Sequence, residues 1–133
     1  MNWDDLVDAS VPRPEGYEHP WSTNNPYVSR VYSGRLGCEH IAFSICRVGP
    51  GQSGEHHRHK RAEEIHVLLR GQCQMRIGDE IVEAEQLDAI RVPPDVYRSF
   101  HNDSGEDCWW LVMAAPVGEF LEAHPDYHPR TAG

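Results

Sequence analysis

Residues His56, His57, Arg58 and His59 put three imidazoles into four positions, and two adjacent carboxylates, Glu63 and Glu64, follow. Imidazole nitrogens and carboxylate oxygens are common protein donors to first-row divalent metals. Spacing matters as much as type. On a β-strand residues i and i+2 point to the same side, so His57 and His59 project together while His56 and Arg58 point away. A carboxylate from the next strand would complete a set of two nitrogens and one oxygen. Parity allows two versions. If Glu64 faces inward, His66 and Leu68 share its side; if Glu63 does, Ile65, Val67 and Leu69 share it.

These side chains need strands to hold them, and the chain around them reads as strands. HIAFSICRV (40–48) is β-branched and aromatic and ends at Gly49-Pro50-Gly51. EIHVLLRG (64–71), QCQMRIG (72–78), EIVEAEQ (80–86), DAIRVPP (88–94), YRSFHN (97–102) and CWWLVMAAP (108–116) follow, each bounded by Gly, Pro, Asn or Asp. Short strands at intervals of roughly 8–12 residues with such punctuation predict an all-β sandwich or barrel. Residues 1–30 carry Pro12, Pro14, Pro20 and Pro26 and read as an extended N-terminal arm, since proline breaks long helices. The barrel is expected over 31–116. Residues 117–133 read as a C-terminal tail, with VGEFLEAH (117–124) briefly helical and PDYHPRTAG loose.

At 133 residues the chain is one domain, long enough to bury a core without staples. The formal net charge of −9 and the lack of a basic stripe argue against nucleic acid and against an anionic membrane surface. No apolar run approaches bilayer length. The acidic start MNWDDLVDAS does not read as a secretory signal. Cys38, Cys46, Cys73 and Cys108 form no CxxC pair, which excludes zinc-ribbon and thioredoxin-like readings and suits a reducing, cytoplasmic home. There is no Ser/His/Asp signature and no phosphate-cradling glycine loop.

The pattern Gly51-x5-His57-x-His59-x4-Glu64-x6-Gly71 resembles the first motif of the cupins, Gly-x5-His-x-His-x3-4-Glu-x6-Gly. The gap to Gly71 implies Glu64 rather than Glu63 as the carboxylate. The second cupin motif, Gly-x5-Pro-x-Gly-x2-His-x3-Asn, falls on Leu87-x5-Pro93-x-Asp95-x2-Arg98-x3-Asn102. Pro93 and Asn102 fit it; both glycines and the histidine are replaced. The resemblance covers about residues 40–115 and implies a double-stranded β-helix, the cupin jelly-roll barrel, with a metal inside it near one mouth. It also implies a homodimer.

In cupins the second-motif histidine is usually the last protein ligand, and here Arg98 stands in its place. Arginine stays protonated and has no lone pair to give. The expected metal ligands are therefore His57, His59 and Glu64, with about three positions open. One divalent ion per chain is expected. Fe(II) is favoured by the pattern of two histidines and a carboxylate; Zn²⁺, Mn²⁺ or Ni²⁺ would also fit.

Arg98 has three readings: a clamp for a substrate carboxylate or phosphate, a structural partner for Glu64 or another acid, or an outward-facing surface residue. His66, on the face of Glu64, is a candidate general acid/base or a hydrogen-bonded wall residue. Phe100 shares the face of Arg98 and is expected to line the cavity with His66. Trp109 and Trp110 point opposite ways. His101 is turned away from Arg98's face by parity, so only a β-bulge would make it a ligand. His56 reads as surface, and His124 and His128 as incidental.

The function expected is a metal-dependent oxygenase acting on a small anionic or aromatic metabolite held by Arg98. The alternatives are a redox-neutral cyclase, isomerase or lyase, and a non-catalytic small-molecule-binding cupin.

Overall fold

The computed structural model describes residues 28–32, 36–54, 56–116 and 127–129. Ten strands run through them: β1 (Val28–Val31), β2 (Ala42–Val48), β3 (His57–His59), β4 (Glu63–Arg70), β5 (Cys73–Ile77), β6 (Glu80–Ala84), β7 (Ala89–Val92), β8 (Arg98–His101), β9 (Cys108–Ala115) and β10 (Tyr127–Pro129). They form two five-stranded antiparallel sheets, in the orders β1-β2-β9-β4-β7 and β10-β3-β8-β5-β6. This is a double-stranded β-helix. No helix among the described residues is long and apolar enough to cross a membrane.

The two sheets face each other across one apolar core. Val48, Leu68, Val92 and Trp110 come from the first sheet, Met75 and Phe100 from the second. Full burial of Val48, Leu68, Met75 and Val92 is worth about 1.5–3 kcal/mol each. The period of two is clean where it matters. In β4 Glu64, His66 and Leu68 are buried and Glu63 and Ile65 exposed. In β8 Arg98 and Phe100 are buried, with Ser99 and His101 half-buried on the other side. Trp110 joins the inner core. Trp109 faces the opposite way and packs in a second cluster with Tyr32 and Ile45.

Two turns place the site. Gly71 ends β4 at φ +88°, and a Cβ there would lie 2.8 Å from the carbonyl oxygen of Asp107 and 3.1 Å from Cys108 Cα. Only glycine fits that backbone and that approach. At 95 the chain turns with φ 67°, and the Asp95 amide donates to the His59 carbonyl at 2.7 Å, tying the end of β3 to the start of β8.

Two features differ from the sequence reading. The final residues of the expected arm, Val28–Arg30, belong to β1 and pair with β2; the rest of the arm lies outside the described residues. The tail expected to be loose contributes β10, which pairs with β3 as Tyr127↔His59, His128↔Arg58 and Pro129↔His57. It covers an edge that would otherwise expose unpaired backbone, and its proline sits on an edge strand, where a missing donor is tolerated. The helix expected at 117–124 lies outside the described residues, as does His124.

Candidate metal centre

β3 carries His57 and His59 on one side with ring centroids 5.1 Å apart, edge to face. β4 brings Glu64 to them. One ligand atom from each of His57, His59 and Glu64 lies within 4.8 Å of the others. His59 Nε2 is 3.4 Å from Glu64 Oε1, with both side chains buried. Glu63 is on the outer face, where Arg91 Nε donates to it at 2.8 Å.

Glu64 lies at the centre of the polar cluster. Its Oε1 accepts from Arg98 Nη2, and its Oε2 is 2.7 Å from His66 Nε2. Burial alone would push the Glu64 carboxyl upward, but His66, Arg98 and His59 around it outweigh burial and hold it well below the usual carboxylate range. An ionised carboxylate only accepts, so His66 carries a proton on Nε2. His66 Nδ1 is buried with no hydrogen-bond partner among the described residues. The ring lies 5.2 Å from Phe100, which stacks on Trp110 at 4.9 Å.

Arg98 is 1% exposed, which excludes the outward-facing reading. Besides Glu64, its Nη1 donates to the Val96 carbonyl at 2.8 Å, while its Nε is buried without a partner. In this arrangement Arg98 is the partner of Glu64, and part of its donor fork is left over for something else.

The remaining candidates fall elsewhere. His101 Nδ1 meets Ser53 Oγ at 2.5 Å, away from the histidine pair. His56 stacks on Tyr97 at 5.6 Å and reaches Ser99 Oγ at 3.1 Å. His128 is in β10. Asn102 is fully buried: its amide donates to the Val48 and Glu106 carbonyls, and its Oδ1 accepts from Ser104, so it organises a turn. Burial pushes the Cys46 thiol up to about 12, which removes it as a thiolate ligand or nucleophile.

The donor set of two imidazoles and one carboxylate suits a divalent transition ion. Arg98 competes with such an ion for Glu64 Oε1. Sequence reasoning left this pairing undecided; burial in the structure singles it out, since Glu64 is the only buried carboxylate among the described residues and Arg98 the only buried Lys or Arg.

A family model described as Cupin domain matches residues 44–114. No curated protein sequence matches the chain. Solved structures share its fold. An uncharacterized conserved protein with a double-stranded β-helix domain from Klebsiella pneumoniae has a TM-score of 0.69 at 13% identity, covering 90% of this chain and 100% of that one. The polyketide cyclase RemF from Streptomyces resistomycificus has 0.68 at 19%, covering 94% and 83%. A predicted oxalate decarboxylase from Thermotoga maritima has 0.66 at 16%, covering 82% and 96%.

Proposed function

The chain belongs to the cupin family, and we propose that it is a metal-dependent enzyme acting on a small anionic metabolite, with an Fe(II)-type oxygenase as the leading reaction class. The observation that carries the reading is the grouping of half-buried His57 with buried His59 and Glu64 beside an inward-facing guanidinium. His57, His59 and Glu64 would hold the ion, which when bound supplies Lewis acidity and, as Fe(II), redox chemistry with O₂.

The chain's own residues divide the other tasks. Arg98 binds the anionic group of the substrate through the part of its fork that Val96 and Glu64 do not use. Phe100 and Trp110 form an apolar wall that excludes water. His66 is oriented by Glu64 through Nε2, and its unpartnered Nδ1 is the atom at which it would exchange a proton with substrate.

That free nitrogen supports a second reading, a redox-neutral cyclase, isomerase or lyase in which His66 is the base. A polyketide cyclase and a predicted oxalate decarboxylase of the same fold lend support to this redox-neutral reading.

Metal analysis of protein purified without added metal, followed by O₂-uptake screening against small carboxylic acids, tests both. About one iron per chain with substrate-dependent O₂ uptake is expected. Activity with Zn²⁺ or Mn²⁺ and no O₂ demand selects the redox-neutral enzyme. Normal iron binding by His57→Ala overturns the site assignment; no metal after anaerobic Fe(II) loading leaves a non-catalytic binding protein.

A further inference from the structure

We propose that Arg98 makes divalent-metal binding and small-dianion binding depend on each other, so that the preferred ligand of this site carries two negative charges. The inference rests on the metal-site reading above and concerns what Arg98 does when Glu64 changes partner.

Charge accounting leads to it. Glu64 and Arg98 form a neutral pair, both almost wholly buried. Arg98 cannot escape by losing its proton, because guanidinium stays charged inside proteins. With the imidazoles neutral, handing Glu64 to a divalent cation leaves +2 from the ion, −1 from Glu64 and +1 from Arg98, a net +2 in a dry site; any protonated histidine there adds to it. Among the described residues no other buried carboxylate exists to balance it. The Val96 carbonyl is the other acceptor Arg98 has, and it is uncharged. Burying uncompensated charge is strongly unfavourable, so metal alone meets resistance from Arg98. A dianion cancels +2, and a monoanion cancels half of it.

The donors for that anion are already in place. Arg98 Nε is buried without a partner, and Nη2 becomes available once Glu64 turns to the metal. Conversely, without metal Glu64 occupies Arg98 and repels an incoming anion. Each ligand therefore removes the obstacle to the other, and thermodynamic linkage requires the two effects to be equal in size.

The test is a Mn²⁺ titration of the full chain, read from the EPR signal of free ion, at matched ionic strength in chloride, in acetate, and in each of sulfate, malonate and succinate, with solution chelation subtracted. At least one dianion is expected to lower the Mn²⁺ Kd by about tenfold or more, with acetate clearly weaker, and Mn²⁺ to tighten that dianion by the same factor. Arg98→Met is expected to bind Mn²⁺ in chloride at least as tightly as the native chain does with dianion, and to lose the anion effect. A native chain whose Mn²⁺ affinity ignores all three dianions, or an anion effect that survives in Arg98→Met, overturns the coupling. Should Arg98→Met not fold, the native titrations alone decide. Failure of the underlying reading looks different: no Mn²⁺ binding under any condition, or undiminished binding by His57→Ala, removes the metal site and the coupling with it.

Discussion

Replacing Arg98 by Met in the metal-free protein isolates the energetics of the central pair. Methionine keeps an unbranched stem of similar reach and removes the charge and the donors. Arg98 is 1% exposed and Glu64 3%, so water screens their interaction little. Removing one member of a buried ion pair typically costs about 3–5 kcal/mol, because the other charge is stranded. Here His66 Nε2 stays 2.7 Å from Oε2 and His59 Nε2 3.4 Å from Oε1, so Glu64 is not wholly abandoned. That places the expected loss near the lower end, about 3 kcal/mol, a large part of the ~5–15 kcal/mol that holds a domain folded. Urea titration of the metal-free variant at pH 7 reads it directly. The companion is Arg98→Met with Glu64→Gln, which takes the stranded charge away as well. The double variant should be more stable than Arg98→Met alone by about 1–2 kcal/mol. An Arg98→Met loss below about 1 kcal/mol, or a double variant that loses the sum of the single costs, would refute the pairing as the source of stability.

Three further outcomes follow from the same geometry. Gly71→Ala should cost about 2 kcal/mol or more in the same urea assay, since φ is +88° and the new Cβ would meet the Asp107 carbonyl at 2.8 Å; a neutral result would mean the β4–β5 turn relaxes freely. Leu87→Gly should raise stability by up to about 1 kcal/mol: Leu87 sits at φ 72° with its side chain largely exposed, so relief of left-handed strain exceeds the lost burial and added chain entropy. A Leu87→Gly variant less stable than the native chain contradicts that. Acid should weaken the fold through Glu64. Its folded carboxyl is held below the ordinary range, so its contribution is complete above the unfolded pKa of about 4.3 and is lost as pH falls through the folded value. The stability gap between native and Glu64→Gln protein, measured from pH 7 to 3, should narrow only below about pH 4; a gap that widens on acidification has the wrong sign.

Most of the strand framework was legible because burial alternates and glycines end the runs. EIHVLLRG was read as a strand at 64–71 and is Glu63–Arg70; HIAFSICRV, read at 40–48, is Ala42–Val48. Parity placed His57 with His59 and turned His101 away. It could not choose between Glu63 and Glu64, because either choice leaves a self-consistent strand; only the resemblance to the first cupin motif, with its fixed gap to Gly71, implied Glu64. What stayed hidden depends on contacts across the barrel. Arg98 and Glu64 are 34 positions apart, and a strand period gives the face of a residue, never its partner. β10 has no alternating pattern because its role is backbone pairing on an edge. Leu87 and Asp95 stand where the cupin motif has glycine and still adopt left-handed backbone, at φ 72° and 67°. Nothing in a leucine announces that conformation. The turn conformation holds without the residue that suits it, because the strands on either side fix the path.

The same persistence makes the third departure, Arg98, open to reversal by Arg98→His. His57 and Arg98 are directly paired across β3 and β8, and residues directly opposite on antiparallel strands keep their Cβ atoms about 4.5–5.5 Å apart. An imidazole at 98 would therefore stand beside that of His57, on the sheet face that already holds His59 and opposite Glu64 of β4 in the facing sheet. It adds a lone pair, and it removes the permanent charge that opposes a cation and occupies Glu64. Both changes act in one direction, so Mn²⁺ affinity in chloride should rise by at least about tenfold, some 1.4 kcal/mol, and its dependence on dianions should disappear. The paired measurement on the native chain separates two histories. If native protein binds Mn²⁺ only with a dianion and Arg98→His binds it without one, Arg98 is a device that ties the metal to its ligand. If native protein binds no metal under any condition while Arg98→His does, the guanidinium has taken over the place of the ion. A folded Arg98→His chain that binds Mn²⁺ no better than the native one would show that β3 and β4 do not present a metal-competent face, and the argument from strand register would fail with it.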